Sequence, residues 1–172
     1  MGRFDDAAVI AMGSSLAGDY ASCTALLEAA LARFEAAGLR VLSRSTWWRS
    51  AAWPDPSEPD YRNGLALVET SLAPRETLGA LLRIEAGFGR ERGRANAPRT
   101  LDLDLIAHGR AVIDEPGLVI PHPRAHTRLV VMGPLAEVAP DWVHPVLGKT
   151  AAELTRTASV GLDARPAPPD PA

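Results

Sequence analysis

The order of its apolar segments most constrains how this chain of 172 residues can fold. Apolar residues that alternate or form a short unbroken run indicate strands, and apolar residues at about every third or fourth position indicate helices. These patterns predict strands at residues 7–12, 39–48, 64–71 and 100–107, and helices at residues 22–37 and 74–86. The resulting order, β, α, β, β, α, β, is that of a ferredoxin-like α+β sandwich, in which two helices cover one face of an antiparallel sheet.

The two predicted helices have suitable capping residues. Ser22 stands where its hydroxyl can accept a hydrogen bond from the first turn, and Gly38 follows the predicted last turn. Pro74 begins the second helix, and Glu76 lies in its first turn, where a carboxylate is favoured by the helix dipole. The helix boundaries are therefore supported independently of the periodicity.

The chain beyond the sixth element contains shorter segments. A strand is predicted at residues 118–120, and short helices are predicted at residues 124–138 and 149–157. Residues 163–172 (DARPAPPDPA) include four prolines and are predicted to be disordered. We therefore expect one domain over residues 1–162, followed by a disordered tail.

Composition excludes several classes of protein. A single cysteine, Cys23, rules out an internal disulfide, and its apolar surroundings predict a buried side chain. The first residues lack the apolar core of a signal peptide, and no apolar run reaches the roughly 18 residues of a membrane span. The formal net charge of −3 gives no general attraction to nucleic acid or to membranes. We expect a cytoplasmic monomer without nucleic-acid or membrane partners.

Asp102 and Asp104 alternate with leucines in the last predicted core strand (LDLDL). Because side chains alternate between the faces of a strand, both carboxylates point to one face, close enough to share a ligand. Two neighbouring carboxylates repel each other unless a cation lies between them, and oxygen ligands suit Mg²⁺. A solvent-facing strand edge is the alternative, but aspartate is a poor strand former, so the pair favours a metal site.

Four arginines, Arg90, Arg92, Arg94 and Arg99, lie directly before this strand in a glycine-rich segment. Guanidinium groups bind phosphate through paired hydrogen bonds, and a flexible loop that carries them can close over a polyphosphate. Taken alone, a solvated basic loop is the simpler interpretation. Next to two carboxylates that could hold a metal ion, the combination favours phosphoryl transfer, which depends mainly on positioning and on neutralising charge.

His122 lies between two prolines, and Arg128 follows six residues later. The rigid backbone around His122 suggests a fixed hydrogen-bond donor, although a structural histidine would have the same surroundings. The sequence contains neither a P-loop nor a GxGxxG motif, so a nucleotide site would be neither of the Walker nor of the Rossmann type.

Together these motifs resemble the 6-hydroxymethyl-7,8-dihydropterin pyrophosphokinase family. The similarity runs from the first strand to residue 149, and it rests on the arginine-rich loop and on the segments RTLDLD (99–104), PHPR (121–124), PLAEVAP (134–140) and HPVLGK (144–149). The resemblance implies a ferredoxin-like fold. It also implies an enzyme of folate biosynthesis that transfers the β,γ-diphosphate of MgATP to the pterin hydroxymethyl group and releases AMP.

The resemblance further implies roles for individual residues. Asp102 and Asp104 would hold two Mg²⁺ ions that bridge the ATP phosphates, and the loop residues Arg90 and Arg92 would close on the triphosphate. The remaining ATP contacts would be Glu85, Arg99, Leu105, His122 and Arg128. The pterin would be held by Ser50, Ala51, Trp53, Tyr61 and Asn63, with the Tyr61 ring against the bicycle and the Asn63 amide at its edge.

The chain departs from the family pattern at several of these places. Ser15 replaces the usual asparagine of the first loop, and Ala51 and Ala52 stand where prolines are common. Val130 stands where the family commonly has a phenylalanine that stacks on the second face of the pterin. Residues 95–98 replace a segment that commonly contains a tryptophan. These differences concern how the pterin is held more than the type of reaction.

Two functions of other classes stay open on the sequence alone. A ferredoxin-like regulatory module could bind an anion through the same arginine-rich loop, but it would not need two carboxylates on one strand face. An RNA-binding sheet of the same topology would need exposed aromatic side chains on the sheet, where the last core strand has aspartates instead.

Overall fold

The computed structural model describes residues 4–52, 55–89 and 100–168 of the protein. Within these ranges the strands are β1 (Ala8–Ser14), β2 (Arg40–Arg44), β3 (Trp48–Ser50), β4 (Tyr61–Glu69), β5 (Asp102–His108), β6 (Ile113–Glu115), β7 (Leu118–Ile120) and β8 (Arg165–Pro166). The helices are α1 (Cys23–Leu31), α2 (Pro74–Gly87), α3 (Leu129–Val138) and α4 (Ala151–Thr157).

The large sheet has the strand order β5-β1-β4-β3-β8, and β2 also pairs with β4. All of these pairings are antiparallel. The helix α1 connects β1 to β2, and α2 connects β4 to β5. This topology confirms the predicted ferredoxin-like arrangement and places the first strand of the chain beside the strand that carries the two aspartates.

Each face of the sheet has its own hydrophobic core. Ile10 of β1 is fully buried together with residues of α1 and α2, whereas its neighbour Val9 is fully buried together with Met132 of α3 and Leu154 of α4. Because both faces are covered, β1 is apolar without alternation, as strands buried on both sides are. The C-terminal helices therefore add a third layer to the two-layer sandwich.

The first helix is shorter than predicted. It begins as expected, because the Ser22 hydroxyl accepts a hydrogen bond from the Ala25 N–H at 3.0 Å, but it ends at Leu31. A short 3₁₀ segment follows, the Phe34 side chain turns into the core with no exposed surface, and Gly38 at φ 88° leads the chain into β2. Cys23, which was predicted to be buried, is half-buried.

The segment predicted as one strand over residues 39–48 is divided into β2 and β3 by a bulge. Arg44 pairs with Ala66 and Trp48 pairs with Asn63, so one strand uses one residue more than its partner. Inside the bulge, the Ser45 hydroxyl accepts the Leu65 N–H at 3.0 Å. After the bulge, β3 continues to residue 50, two residues beyond the predicted end of the strand.

The segment after β5 forms a hairpin of two strands: β7, which confirms the strand predicted at residues 118–120, and β6, which was not predicted. Its turn is Pro116–Gly117, with Gly117 at φ 77°. The helix predicted at residues 124–138 is divided into a 3₁₀ turn, Ala125–Thr127, and α3, and Arg128 between them has an extended backbone. Within the described ranges, no helix combines the length and the apolar character that crossing a membrane requires.

The C-terminal tail is ordered further than its proline content predicts. Residues 163–168 were expected to be disordered, yet β8 pairs with β3 and Ala164 is buried. A proline is compatible with this position because β8 is at the edge of the sheet, where a missing N–H leaves no neighbour unpaired. Contacts with distant parts of the chain fix the tail, as described below.

Candidate active site

Asp102 and Asp104 lie on β5, at one edge of the sheet. Their leucine neighbours, Leu101, Leu103 and Leu105, are buried in the core that contains α1 and α2. Asp102 is partly exposed and Asp104 is exposed. The strand therefore presents its two carboxylates together on one face, as the alternating pattern predicts.

Glu85 of α2 holds the edge of β5 between the two aspartates. Its carboxylate accepts the Leu103 N–H at 2.7 Å, and the residue is only 3% exposed. A hydrogen bond from a backbone N–H to a carboxylate is stronger than one between neutral groups, so Glu85 fixes the strand where both aspartates project. This contact gives Glu85 a positioning role beside the ATP contact that the resemblance implies.

A strip of this face of the sheet, here called the groove, runs from Asp102 across Gly13 to Asn63. Gly13 on β1 pairs with Asp102 on one side and with Asn63 of β4 on the other. Directly paired residues point to the same face, so the two side chains lie on either side of Gly13, about 10 Å apart at two strand spacings. A Cβ atom at position 13 would lie 3.4 Å from Asn63 Oδ1. A Tyr61 ring atom would lie 3.9 Å from the same Cβ, so a side chain at position 13 would crowd both Asn63 and Tyr61.

The side of the groove opposite the aspartates is formed by β3 and β4. Asn63 Nδ2 donates a hydrogen bond to Ser50 Oγ at 2.9 Å, and Ser50 is buried. Ser50 pairs with Tyr61, which lies two residues before Asn63 and therefore on the same face. The structure thus brings together three of the predicted pterin contacts, and Ala51 directly follows Ser50.

Two consecutive tryptophans hold β3 from opposite faces of the sheet. Trp47 Nε1 donates to Glu28 of α1 at 2.9 Å, and Trp48 Nε1 donates to Glu137 of α3 at 3.1 Å. Burial raises the pKa of Glu137, but hydrogen bonds from Thr46 and Trp48 lower that pKa by more, so the carboxylate stays charged. Because both indoles are anchored, the position of β3, and with it that of Ser50, is fixed relative to the helices.

A cavity of about 290 Å³ opens beside β5. Three predicted site residues line it: Asp104, which was predicted to hold metal, and the predicted ATP contacts Leu105 and His122. The other lining residues, which the sequence did not single out, are Leu78, Leu103, Gly117, Leu118, Val119 and Pro123. Their mostly apolar surfaces suit a flat ring, and Asp104 brings a carboxylate to the same cavity.

His122 is held against the outer edge of β5 as a neutral hydrogen-bond donor. Its backbone N–H donates to the Ile106 carbonyl at 2.8 Å, and its ring Nδ1 accepts the Arg124 N–H at 3.2 Å. Burial, followed by the charges of Arg128 and Arg124, lowers the pKa of His122 to about 4. At neutral pH the ring is therefore uncharged, and because Nδ1 is an acceptor, the proton is on Nε2.

The described part of the site offers two carboxylates rather than a complete set of metal ligands. In residues 4–52, 55–89 and 100–168, no three or more His, Cys, Asp or Glu side chains are grouped as a metal ion would require. Mg²⁺ is commonly held by one or two carboxylates together with substrate phosphates and water. Asp102 and Asp104 therefore fit a Mg²⁺ ion that arrives with a nucleotide.

Four of the predicted site residues lie outside the described residues: Trp53, Arg90, Arg92 and Arg99. The structure places the other predicted residues in two groups. One group surrounds β5 and the cavity, and the other lies on β3 and β4. The groove over Gly13 connects the two groups.

Sequence comparison finds the same family along most of the chain. The profile of the 7,8-dihydro-6-hydroxymethylpterin-pyrophosphokinase (HPPK) family matches residues 9–140. A 2-amino-4-hydroxy-6-hydroxymethyldihydropteridine pyrophosphokinase of Synechocystis is 49% identical over 118 residues, which are 69% of this chain and 60% of that protein. A protein of the same name from Methylorubrum extorquens is 37% identical over 147 residues, which are 85% of this chain and 89% of that protein.

Structural comparison finds the same fold. The wild-type HPPK-DHPS protein of Plasmodium falciparum superposes on 87% of this chain with a TM-score of 0.67 at 12% sequence identity. The superposed part is 44% of that chain, so the similarity concerns about half of a longer protein. At this level of identity the comparison supports the ferredoxin-like fold alone.

Proposed function

Because this chain belongs to the 7,8-dihydro-6-hydroxymethylpterin-pyrophosphokinase family, we propose that it transfers the diphosphate of MgATP to the hydroxymethyl group of 6-hydroxymethyl-7,8-dihydropterin in folate biosynthesis. The hydroxymethyl oxygen forms a bond to the β-phosphorus as the bond from that phosphorus to the α,β-bridging oxygen breaks. AMP leaves with the bridging oxygen, and the hydroxyl proton is released. The strand register that places Gly13 between the paired aspartates and Asn63 on one face of the sheet is the observation that supports this proposal most strongly.

We place the nucleotide in the cavity beside β5. Leu105 and the apolar residues of the β6–β7 hairpin would contact the base, and Asp104 lines the same cavity. The neutral His122 can donate a hydrogen bond from Nε2, and the positive charge of Arg128 acts on the same ring. Arg99 and Glu85 complete the proposed ATP contacts by family resemblance.

We propose that two Mg²⁺ ions are held by Asp102 and Asp104 together with the phosphates. When bound, Mg²⁺ would neutralise the charge of the phosphates and polarise their oxygens. The role of the chain is to present both carboxylates on one strand face. Glu85 supports this presentation through its bond to the Leu103 N–H.

The pterin would occupy the other end of the groove. The Tyr61 ring would lie against the bicycle, and the Asn63 amide, which the Ser50 hydroxyl orients, would bond to its edge. Ala51 and Trp53 would contribute from the loop that follows β3. This arrangement points the hydroxymethyl group along the groove toward Asp102.

The loop arginines would act when the site closes. By resemblance, Arg90 and Arg92 would bind the triphosphate and exclude water while the diphosphate is transferred. We propose further that the protein acts as a cytoplasmic monomer on these two small molecules. An RNA-binding role is disfavoured because helices pack on both faces of the sheet, and the exposed positions of β5 carry aspartates rather than aromatic side chains.

The metal assignment is tested with Asp102→Asn and Asp104→Asn, which preserve side-chain shape. Each variant is expected to lose more than about a hundredfold in MgATP-dependent turnover, because a metal ligand is removed. Asp6 is exposed and precedes the start of β1, at the end of the strand away from Gly13. It provides the matched control Asp6→Asn, which should keep wild-type turnover. Wild-type activity in either site variant would contradict the assignment, and unchanged melting temperatures would show that the fold is intact.

A further inference from the structure

The C-terminal segment contributes a connection that the family match does not include. Residues 159–167, here called the C-terminal strap, run from the start of α3 to β3. The family profile matches residues 9–140 and so ends before this segment begins. The strap passes both groups of candidate site residues, because Arg128 lies beside its first anchor and Ala51 lies beside its last.

The first anchor of the strap is at the start of α3. The Thr127 carbonyl accepts the N–H groups of Ser159 and Val160 at 2.9 and 3.0 Å. The Leu129 N–H donates to the Val160 carbonyl at 2.9 Å. These bonds lie on either side of Arg128, which is also paired with Val160, so the strap cannot shift without moving the backbone at Arg128.

The second anchor is the pairing with β3. Arg165 pairs with Arg49, and the Ala167 N–H donates to the Trp47 carbonyl at 2.9 Å. Ala164, between the two anchors, is 8% exposed. The strap is therefore held at both ends and is packed against the protein between them.

Asp163 lies between these anchors and reaches the loop that follows β3. Its carboxylate Oδ2 accepts the Ala51 N–H at 2.7 Å. Ala51 directly follows Ser50, whose buried hydroxyl orients the Asn63 amide. A charge-assisted bond of this length fixes the backbone direction at the point where the chain leaves the sheet.

We infer that Asp163 is a positioning residue for the pterin, which it serves by fixing the backbone of Ser50 and Ala51 from the C-terminal strap. This inference rests on the proposed function, because the pterin is placed beside these residues. Asp163 acts through the loop, so its removal should weaken pterin binding and leave the nucleotide contacts around β5 unchanged.

The test compares Asp163→Ala with Asp163→Asn, which keeps a side-chain oxygen that can accept the Ala51 N–H. We expect Asp163→Ala to raise the KM for the pterin about fivefold, which corresponds to the loss of one exposed charge-assisted hydrogen bond. The KM for ATP should stay at the wild-type value, and Asp163→Asn should restore most of the pterin KM. Asp6→Ala, a change of the same type at an exposed site before the far end of β1, is the control.

Hydrogen exchange at the Ala51 amide gives a second readout that does not depend on turnover. The amide should be protected in the wild-type protein and exchange faster in Asp163→Ala, while amides in the middle of β4 stay unchanged. An unchanged pterin KM in Asp163→Ala, with an active wild-type enzyme, would overturn the inference and leave the proposed function standing. An equal rise in both KM values would also overturn it, since that result indicates a general structural role. If the wild-type protein produced no AMP from the pterin, the proposed function itself would fail.

Discussion

Two glycine-to-alanine substitutions in helices should change stability in opposite directions. Gly133 lies within α3, and a Cβ atom built there would be 2.6 Å from two ring atoms of Trp48. Gly79 lies within α2, and the nearest atom to its Cβ would be the end of the Arg83 side chain, at 3.4 Å. Gly79→Ala gains helix propensity, whereas at Gly133 the following Pro134 limits this gain, and only Gly133→Ala forces a large side chain to move.

The expected magnitudes follow from these contacts. Gly79→Ala should stabilise the protein by up to about 1 kcal/mol, because Arg83 is exposed and can move aside. At Gly133 a smaller gain is opposed by an overpacking cost of about 1–3 kcal/mol. Trp48 cannot yield easily, because its indole donates to Glu137 and its backbone pairs with Asn63. We expect Gly133→Ala to destabilise the protein by about 1–2 kcal/mol.

Thermal unfolding measures both effects in one experiment. For a domain of this size, a change of 1 kcal/mol shifts the melting temperature by roughly 2–4 °C. Gly79→Ala should therefore melt slightly above the wild-type protein, and Gly133→Ala should melt several degrees below it. Because Trp48 belongs to β3, Gly133→Ala should also raise the KM for the pterin. A melting temperature of Gly133→Ala at or above that of the wild-type protein would refute the view that Trp48 is held rigidly between the sheet and α3.

Three further predictions concern the nucleotide side of the site. Glu85→Ala should lower the free energy of unfolding by about 1.5–3 kcal/mol and reduce turnover, because the Leu103 N–H loses its charged acceptor. Glu85→Gln keeps an acceptor, so its free energy of unfolding, measured by urea denaturation, and its turnover should both fall less. The free energy of unfolding should fall as the pH drops from about 6.5 toward 4, because burial holds the pKa of His122 in the folded protein below its value in the unfolded chain. His122→Gln should make the free energy of unfolding depend less on pH, as measured by urea titrations at several pH values. An unchanged pH dependence in this variant would count against the burial of His122. Arg92→Ala should slow turnover, measured by kinetics, more than it weakens nucleotide binding, measured by calorimetry, because a closing loop acts mainly in the transition state. Weaker nucleotide binding with unchanged turnover would contradict this role of Arg92.

The sequence predicts the core of the fold because its signals are local and strong. The alternation around Asp102 and Asp104 predicts both the strand and the common face of the two carboxylates, and the structure confirms this geometry. The strand order follows from the βαββαβ pattern, which leaves few ways to connect the elements. The hairpin turn at Pro116–Gly117 also carried a local signal, since this dipeptide is typical of turns.

The features that the sequence did not predict depend on contacts between distant residues. The proline-rich tail looks disordered when taken alone, but contacts with distant residues, among them the bond from Ala51 to Asp163 and the pairing with β3, order it as far as residue 168. The apolar residues of the cavity beside β5, such as Leu118 and Val119, have no chemistry that distinguishes them from core residues. The groove over Gly13 likewise becomes visible only when the strand register places it between Asp102 and Asn63.

Product analysis tests the proposed reaction most directly. The purified protein is incubated with MgATP and 6-hydroxymethyl-7,8-dihydropterin, and the nucleotides are separated by chromatography. Transfer of the diphosphate predicts one AMP for each pterin diphosphate, with formation of both products dependent on Mg²⁺ and on the pterin. Release of ADP, or the absence of any nucleotide product at saturating concentrations of both substrates, would contradict diphosphate transfer by this site.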